Sequence, residues 1–144
     1  MSQHLQEVFD FAAPLCAQKD PAGFDTLDEV ERVTFCVWIA EGEVGNGGMH
    51  AVCYNSTGDY LRYFPEGFRA IGASKKAEYF QRLFLLFGEN GPSRERAIRE
   101  EEHAALAEES LDAIDALTDD YFSSGEDAIE LLFAYLKRCG RLVG

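Results

Sequence analysis

The residue types that could carry out chemistry are concentrated between residues 43 and 59, where the sequence reads EVGNGGMHAVCYNSTGD. This stretch combines an acid, a titratable base and two amides, which together could line a ligand pocket; they are Glu43, His50, Asn46 and Asn55. His50 could act as a general base only with a partner carboxylate, and the sequence does not identify that carboxylate. A small-ligand binder or an enzyme that uses this region is therefore one hypothesis for the function.

The Asn46-Gly47-Gly48 segment also has a structural interpretation. Two consecutive glycines after an asparagine supply the backbone freedom for a sharp turn with positive φ. Such a turn would end the preceding helix and separate it from the apolar run at residues 49–54. We favour this interpretation over the functional one, because a lone histidine beside such a turn is more often a packed or capping residue.

Other catalytic and metal-binding patterns are missing from the sequence. The glycines are not followed by the Lys-Ser/Thr pair of a phosphate-binding loop. The three histidines, His4, His50 and His103, occur at none of the spacings typical of metal ligands. No serine lies in a Gly-x-Ser-x-Gly pattern. We therefore expect no catalytic residue, no cofactor and no metal ion.

The chain is strongly acidic, with a formal net charge of -13. This charge disfavours direct contact with nucleic acid or an anionic membrane, and it favours a basic partner. The excess is segregated, because residues 100–130 contain 12 acidic residues and neither lysine nor arginine.

The acidic segment could present an ordered row of carboxylates. If residues 100–120 form one helix, five of them fall within about 60° of one another, on a stripe roughly 27 Å long: Glu101, Glu108, Asp112, Asp115 and Asp119. A second row lies beside it and consists of Glu102, Glu109 and Asp120. One interpretation is a solvated helix face. The other is a surface for a basic partner, since duplex DNA presents one negative charge per roughly 1.7 Å and a carboxylate array could occupy a DNA-binding groove.

The elements that must position these residues are predicted to be helices. Apolar residues recur at helical spacing, and no stretch alternates long enough to predict a strand. With 144 residues, 47% of them apolar, the chain can form one domain with a sizeable core. We predict an all-α fold, with one compact acidic domain over residues 1–144 and about six to eight helices. A central apolar helix at residues 27–41 would begin with the capping box Thr26-x-x-Glu29.

Cysteine spacing and hydropathy bear on the cellular location. The four cysteines are far apart and form no Cys-x-x-Cys pair, which is typical of reduced thiols in a cytoplasmic protein. No apolar run approaches the 18 or so residues of a membrane helix. We expect a cytoplasmic protein, either a monomer or a homodimer.

The central stretch resembles a motif of the small bacterial DNA-mimic protein family. The matching residues are Glu43, Asn46, Gly47, Gly48, Asn55, Gly58 and Asp59, followed by Ile71-Gly72-Ala73 and an amphipathic helix. The resemblance covers about residues 27–88. Met49 stands where the family often has an aromatic residue, and Ala51 stands where it often has glutamine. The resemblance implies an all-helical fold and binding to a helix-turn-helix repressor in place of operator DNA.

These observations favour an acidic protein-interaction module over an enzyme. Its partner would be a basic, DNA-binding protein, and it would contact neither nucleic acid nor membrane directly. The expected partner-binding residues are Glu101, Glu108, Asp112, Asp115 and Asp119. The motif residues are expected to serve the fold. A plainer possibility is a helical module without an active surface.

Overall fold

The computed structural model describes residues 2–17 and 21–142, apart from the side chains of Pro21 and Ala22. These residues form eight α-helices and one 3-10 helix, without any strand, which confirms the predicted all-α class. The α-helices are α1 (Gln3–Cys16), α2 (Pro21–Asp25), α3 (Glu29–Tyr54), α4 (Phe64–Ala70), α5 (Ser74–Leu85), α6 (Arg96–Ala104), α7 (Glu108–Phe122) and α8 (Ala128–Arg138). The 3-10 helix (Ser56–Tyr63) joins α3 to α4. Lys19 and Asp20, where the sequence predicts a turn, lie outside the described residues.

Helix α3 is the central helix, as predicted, but its bounds differ from the expected 27–41. It begins at Glu29 and continues to Tyr54, and it packs against α1, α4, α6, α7, α8 and the 3-10 helix. The capping box also lies elsewhere. The Asp28 carboxylate accepts from the backbone N–H of Glu31 at 2.9 Å, and the Glu31 carboxylate accepts from the N–H of Asp28 at 2.9 Å. Thr26 lies two residues before the N-cap residue Asp28 and donates its hydroxyl to the Gly23 carbonyl at 2.6 Å.

The turn with positive φ that the sequence predicts at Asn46-Gly47-Gly48 is present at Gly48, where φ is 69° and ψ is -169°. It forms a kink that separates two helical segments, which together are counted as α3. The kink takes the N–H of Met49 out of the helical pattern, and this group donates to the Thr118 hydroxyl of α7 at 2.9 Å. That hydroxyl in turn donates to the Ile114 carbonyl at 3.1 Å. The glycine therefore creates a docking point for α7.

The neighbouring glycine is constrained by packing within α3. A Cβ at Gly47 would lie 2.7 Å from the Cβ of Ala51, four residues ahead. Contacts this short between carbon atoms require a shift of the backbone, so the kink accepts no side chain at this position. The two glycines thus have separate roles: one provides the dihedral angles and the other provides the space.

The core is built around α3 from both ends of the chain. Helices α1 and α8 pack against each other on one side, while α4 and α5 pack as a pair on another. Phe64, Phe68 and Phe80 are fully buried and contact one another edge-on or tilted, with Phe64 and Phe68 each 5.0 to 5.2 Å from Phe80 between ring centroids. The four cysteines are free thiols. No helix of the described part of the chain is long and apolar enough to cross a membrane.

We expect Gly48→Ala to destabilise the protein by about 1 to 3 kcal/mol, because alanine is strained at this φ and ψ. Its Cβ would also lie 3.1 Å from Cγ2 of Thr118. Gly45→Ala is the matched control, since a Cβ there meets nothing within 4 Å. It should stabilise α3 by roughly 0.5 to 1 kcal/mol. Urea unfolding measures both changes, and equal midpoints for the two variants would contradict this account of the kink.

Candidate functional site

The predicted carboxylate stripe lies on two helices rather than one. The helical hydrogen bonding stops at Ala104, and Ala107 has extended backbone angles (φ -65°, ψ 155°) before α7 starts. Glu101 therefore lies on α6, apart from the other four predicted residues, and the assumption of one helix over residues 100–120 is wrong. The remaining row on α7 is about 16 Å long at 1.5 Å per residue.

The outer face of α7 carries the remaining row. Its four carboxylates are all exposed, and their spacing of three or four residues places them on one side of the helix: Glu108, Asp112, Asp115 and Asp119. We call these four residues the acidic face. Glu109 and Asp120 are also exposed and form the second row beside it, whereas Glu102 is turned away and accepts from the N–H of Ser93 at 2.7 Å. Helix α7 contains no lysine or arginine to offset the repulsion.

An exposed aromatic ring ends the acidic face. Phe122 is 62% exposed and follows Asp119 by three residues, so it lies on the same side of α7. It also lines a cavity of about 430 Å³ with residues of α3, α5 and the segment after α7. The face therefore combines a row of acids with one apolar contact at its C-terminal end.

The motif histidine lies against the acidic face. His50 Nε2 is 2.9 Å from Oδ1 of Asp115, which supplies the partner carboxylate that the sequence could not identify. His50 Nδ1 is 2.9 Å from Nε2 of His103 on α6. Burial, together with the charge of His50, lowers the pKa of His103. The ring of Tyr54 lies edge-on to His103 with 5.7 Å between centroids. Three helices thus meet at one chain of titratable groups.

The hypothesis of a ligand pocket around His50 is not supported by the geometry. None of the four described cavities, of about 260 to 430 Å³, is lined by Glu43, Asn46, His50 or Asn55. Asn55 lies at the end of α3, where its backbone N–H donates to the Ala51 carbonyl, and Asn46 is exposed before the kink. Within the described ranges, no group of three His, Cys, Asp or Glu residues is arranged to hold a metal ion.

The second half of the motif surrounds a buried arginine that the sequence analysis did not identify. Arg99 of α6 is fully buried, and its Nη2 pairs with the Asp59 carboxylate at 2.8 Å. The same guanidinium donates to three carbonyl oxygens, at 2.8 Å to Cys53, 2.6 Å to Asn55 and 2.9 Å to Ser93. The contacts to Cys53, Asn55 and Asp59 connect α6 to the end of α3 and to the 3-10 helix, and the contact to Ser93 connects α6 to the segment before it.

The motif glycine at position 58 makes room for this guanidinium. A Cβ at Gly58 would lie 2.5 Å from Nε of Arg99 and 2.2 Å from the Val52 carbonyl oxygen. Asp59, directly after it, supplies the countercharge. Asp59 is the one motif residue that could have pointed to this site, because an acid that becomes partly buried needs a cation beside it. The sequence does not say which of several arginines would supply it.

A second buried cation holds the C-terminal end of α7. Lys76 of α5 is 6% exposed, and its Nζ is 3.1 Å from the Glu41 carboxylate of α3. The Tyr121 hydroxyl of α7 donates to the same carboxylate. Burial is the main reason that the pKa of Glu41 is raised, and Lys76 opposes this shift. The cluster ties α3, α5 and α7 together, so α7 is fixed at the C-terminal end of its acidic face.

Taken together, the fold and the surface define a class: a small acidic all-helical protein that presents one uncompensated row of carboxylates on a firmly docked helix. A family model described as DMP19-like protein matches residues 25–139, and the chain therefore belongs to the DMP19-like protein family. The match includes the whole motif stretch 43–59 and extends well past the residues that suggested a family in the sequence. Comparisons with curated proteins and with solved structures gave no match.

We expect Arg99→Met to destabilise the protein by about 3 to 5 kcal/mol, because it leaves a carboxylate and buried carbonyls without their donor. Arg96→Met is the control on the same helix. Arg96 is half-exposed, with contacts to the Tyr54 carbonyl at 3.0 Å and to Glu100 at 3.2 Å. Its loss should change the stability by less than about 1 kcal/mol. Thermal unfolding measures both, and a small effect of Arg99→Met would show that this guanidinium is not what holds α6.

We expect Asp112→Asn to stabilise the protein by about 0.5 kcal/mol, because it removes repulsion with Glu108 and Asp115. The gain should shrink in about 0.5 M sodium chloride, where the charges are screened. Glu78→Gln is a control of opposite sign, since that carboxylate pairs with Arg82 at 3.2 Å. Urea unfolding at low and high salt checks both variants. A loss of stability in Asp112→Asn would mean that this carboxylate has a favourable partner.

Proposed function

We propose that this chain is an acidic protein-interaction module, a DNA mimic that binds a basic DNA-binding protein such as a helix-turn-helix transcription regulator. The observation that carries the proposal is the acidic face of α7, which is exposed and contains no compensating cation. Membership of the DMP19-like protein family, a family of DNA mimics, supports the same function.

The charge density of α7 is comparable with that of one DNA strand. The acidic face and its second row together place six carboxylates on 18 Å of helix, or about one per 3 Å. A DNA strand carries one phosphate per roughly 3.4 Å of axis. A partner whose lysines and arginines are spaced to contact phosphates could therefore contact these carboxylates at similar intervals.

The attachment of α7 favours binding without rearrangement. Three hydrogen bonds among the described residues attach α7 to α3. The Thr118 hydroxyl accepts from the N–H of Met49, the Asp115 carboxylate contacts His50, and the Tyr121 hydroxyl donates to Glu41. A row of charges that is already fixed loses little conformational entropy when a partner binds. This supports an interaction surface rather than a flexible acidic segment.

The acidic side chains of α7 differ from some exposed acids on other helices in having no cation beside them on the same helix. Two exposed acids on other helices are each paired with an arginine four residues away, Glu78 with Arg82 and Glu100 with Arg96. Helix α7 has no such pair and retains repulsion of a few tenths of a kcal/mol per like-charged pair. This contrast supports an active surface over a helical module with no surface function. We do not propose the small-ligand or enzyme alternative, because its residues do not converge on a cavity.

The test is competition with DNA for an isolated partner. The tagged chain captures binding proteins from a native lysate, and a captured DNA-binding protein is purified and titrated with the chain. We expect the triple variant Glu108→Gln, Asp112→Asn, Asp119→Asn to lose at least about tenfold in affinity, since charge pairs at an interface are worth several tenths to a few kcal/mol each. Affinity should fall steeply with salt, and the partner's DNA should compete.

The matched control carries the same change in net charge at exposed acids on α1, on α2 and in the loop after α5. It is the triple variant Asp10→Asn, Asp25→Asn, Glu89→Gln. We expect it to bind within about twofold of the unmodified chain, because its carboxylates lie on elements other than α7. Equal losses in the two triple variants, or simultaneous binding of DNA and the chain to the partner, would refute the proposal. Asp115 is left intact so that its contact with His50 is unaffected.

A further inference from the structure

The pair of histidines next to the acidic face forms a proton-dependent contact. His50 lies on α3 after the kink, His103 on α6 and Asp115 on α7, and two 2.9 Å contacts connect them in the order Asp115, His50, His103. The His50 side chain is 26% exposed and that of Asp115 is 69% exposed, so the chain runs from the half-buried His103 to the surface. Protons from solvent can therefore reach it.

The number of protons that this arrangement accepts follows from the donors and acceptors. The Asp115 carboxylate can only accept, so His50 carries its proton on Nε2. A neutral His50 then has a lone pair on Nδ1, which accepts from Nε2–H of His103. If one proton is added, His50 becomes a cation that donates in both directions, and the contact survives. If both rings are cations, two N–H groups face each other across 2.9 Å with no acceptor between them. The second proton therefore breaks the contact.

The surroundings of His103 favour the neutral form of its ring. Burial, with the charge of His50, lowers the pKa of His103, so this ring stays neutral below the ordinary histidine value near 6.5. Because the folded value lies below the unfolded one, the stability contributed by the contact is present above about pH 6.5 and is lost as the pH falls.

The charged groups near the two histidines on α3, α6 and α7 are acidic or are paired with other residues. On α7, Asp112 and Asp119 flank Asp115 by one turn on each side. On α6, Arg99 is held by Asp59, and Glu100 pairs with Arg96. From α3, the neighbouring titratable side chain is Tyr54, beside His103. No cation of these neighbours is directed at the pair, whereas the acidic face lies next to it.

We propose that His50 and His103 are a pH-sensitive latch, in which uptake of two protons separates the rings and places two positive charges beside the acidic face, weakening its hold on a basic partner. This inference rests on the proposed function, whose binding surface it regulates. Protons rather than a metal ion are the ligand, because His50, His103 and Asp115 are not among any group of described residues arranged to hold a metal ion.

The first arm of the test is NMR titration of the histidine rings in the full chain, in the presence of EDTA, from about pH 8 to pH 4.8. We expect His50 and His103 to titrate as a coupled pair in two steps, the second below the ordinary histidine range. In His50→Gln, His103 should titrate in one step. His4 is the internal control, since it lies on α1 and contacts Glu130 at 2.7 Å. Independent single-step titrations of His50 and His103 in the unmodified chain would overturn the latch.

The second arm uses a defined probe, a 15-residue peptide of alternating lysine and alanine, whose charge is constant between about pH 5.5 and pH 7.5. We expect its affinity for the unmodified chain to fall at least about threefold at the lower pH, and to change by less than about twofold in His50→Gln, His103→Gln. His4→Gln should behave as the unmodified chain does. The triple variant of the acidic face should bind the peptide weakly at both pH values.

The two arms separate failure of the latch from failure of the proposed function. Peptide binding that needs the acidic face but does not change with pH would overturn the regulation and leave the function intact. Peptide binding that is equal in the unmodified chain and the triple variant would overturn the proposed function, and with it the regulatory role. In that case the coupled titration would describe only a structural contact.

Discussion

The kink of α3 at Gly48 is the constraint on which the placement of the acidic helix depends. A continuous helix would bond the N–H of Met49 within α3, whereas the kink directs it to the Thr118 hydroxyl of α7. A buried N–H without an acceptor would be unfavourable by a few kcal/mol, so the kink and the docking of α7 require each other. His50, two residues after the kink, then reaches Asp115. The glycine motif thus lies against the helix that carries the charge, although about 60 residues separate them in the sequence.

The distribution of cations explains why the acidic face stays uncompensated. Arg99 and Lys76 are buried and hold carboxylates on the 3-10 helix and on α3. Arg82 and Arg96 pair within their own helices, and Arg141 pairs with Asp28 at 2.6 Å. None of these five pairs with a carboxylate of α7; Lys76 reaches that helix only at the ring of Tyr121, with its Nζ 4.2 Å from the ring centroid. In a chain of net charge -13, such a use of cations concentrates the negative potential on one helix.

Local pattern was enough to predict part of this structure. The helical class and the apolar central helix follow from periodicity, and positive φ was expected at the paired glycines. The docking of the kink against α7 could not be predicted, because the acceptor for the N–H of Met49 is the hydroxyl of Thr118, 69 residues away. The break before α7 and the position of the capping box depend on local alternatives of similar energy. The partner of His50 and the role of Arg99 involve contacts over 65 and 40 residues, which spacing along the chain does not encode.

The separation between the residues that hold α7 and those that face solvent has a consequence for how this scaffold can change. Thr118, Tyr121 and Ile114 fix the helix from its inner side, while within the described part of the chain the side chains of Glu108, Asp112 and Asp119 form no ion pair. Single substitutions can therefore accumulate at those three positions, and the protein remains folded after each one. In such a scaffold the exposed side of α7 can change in evolution to bind different partners, while α3 and the kink at Gly48 are retained.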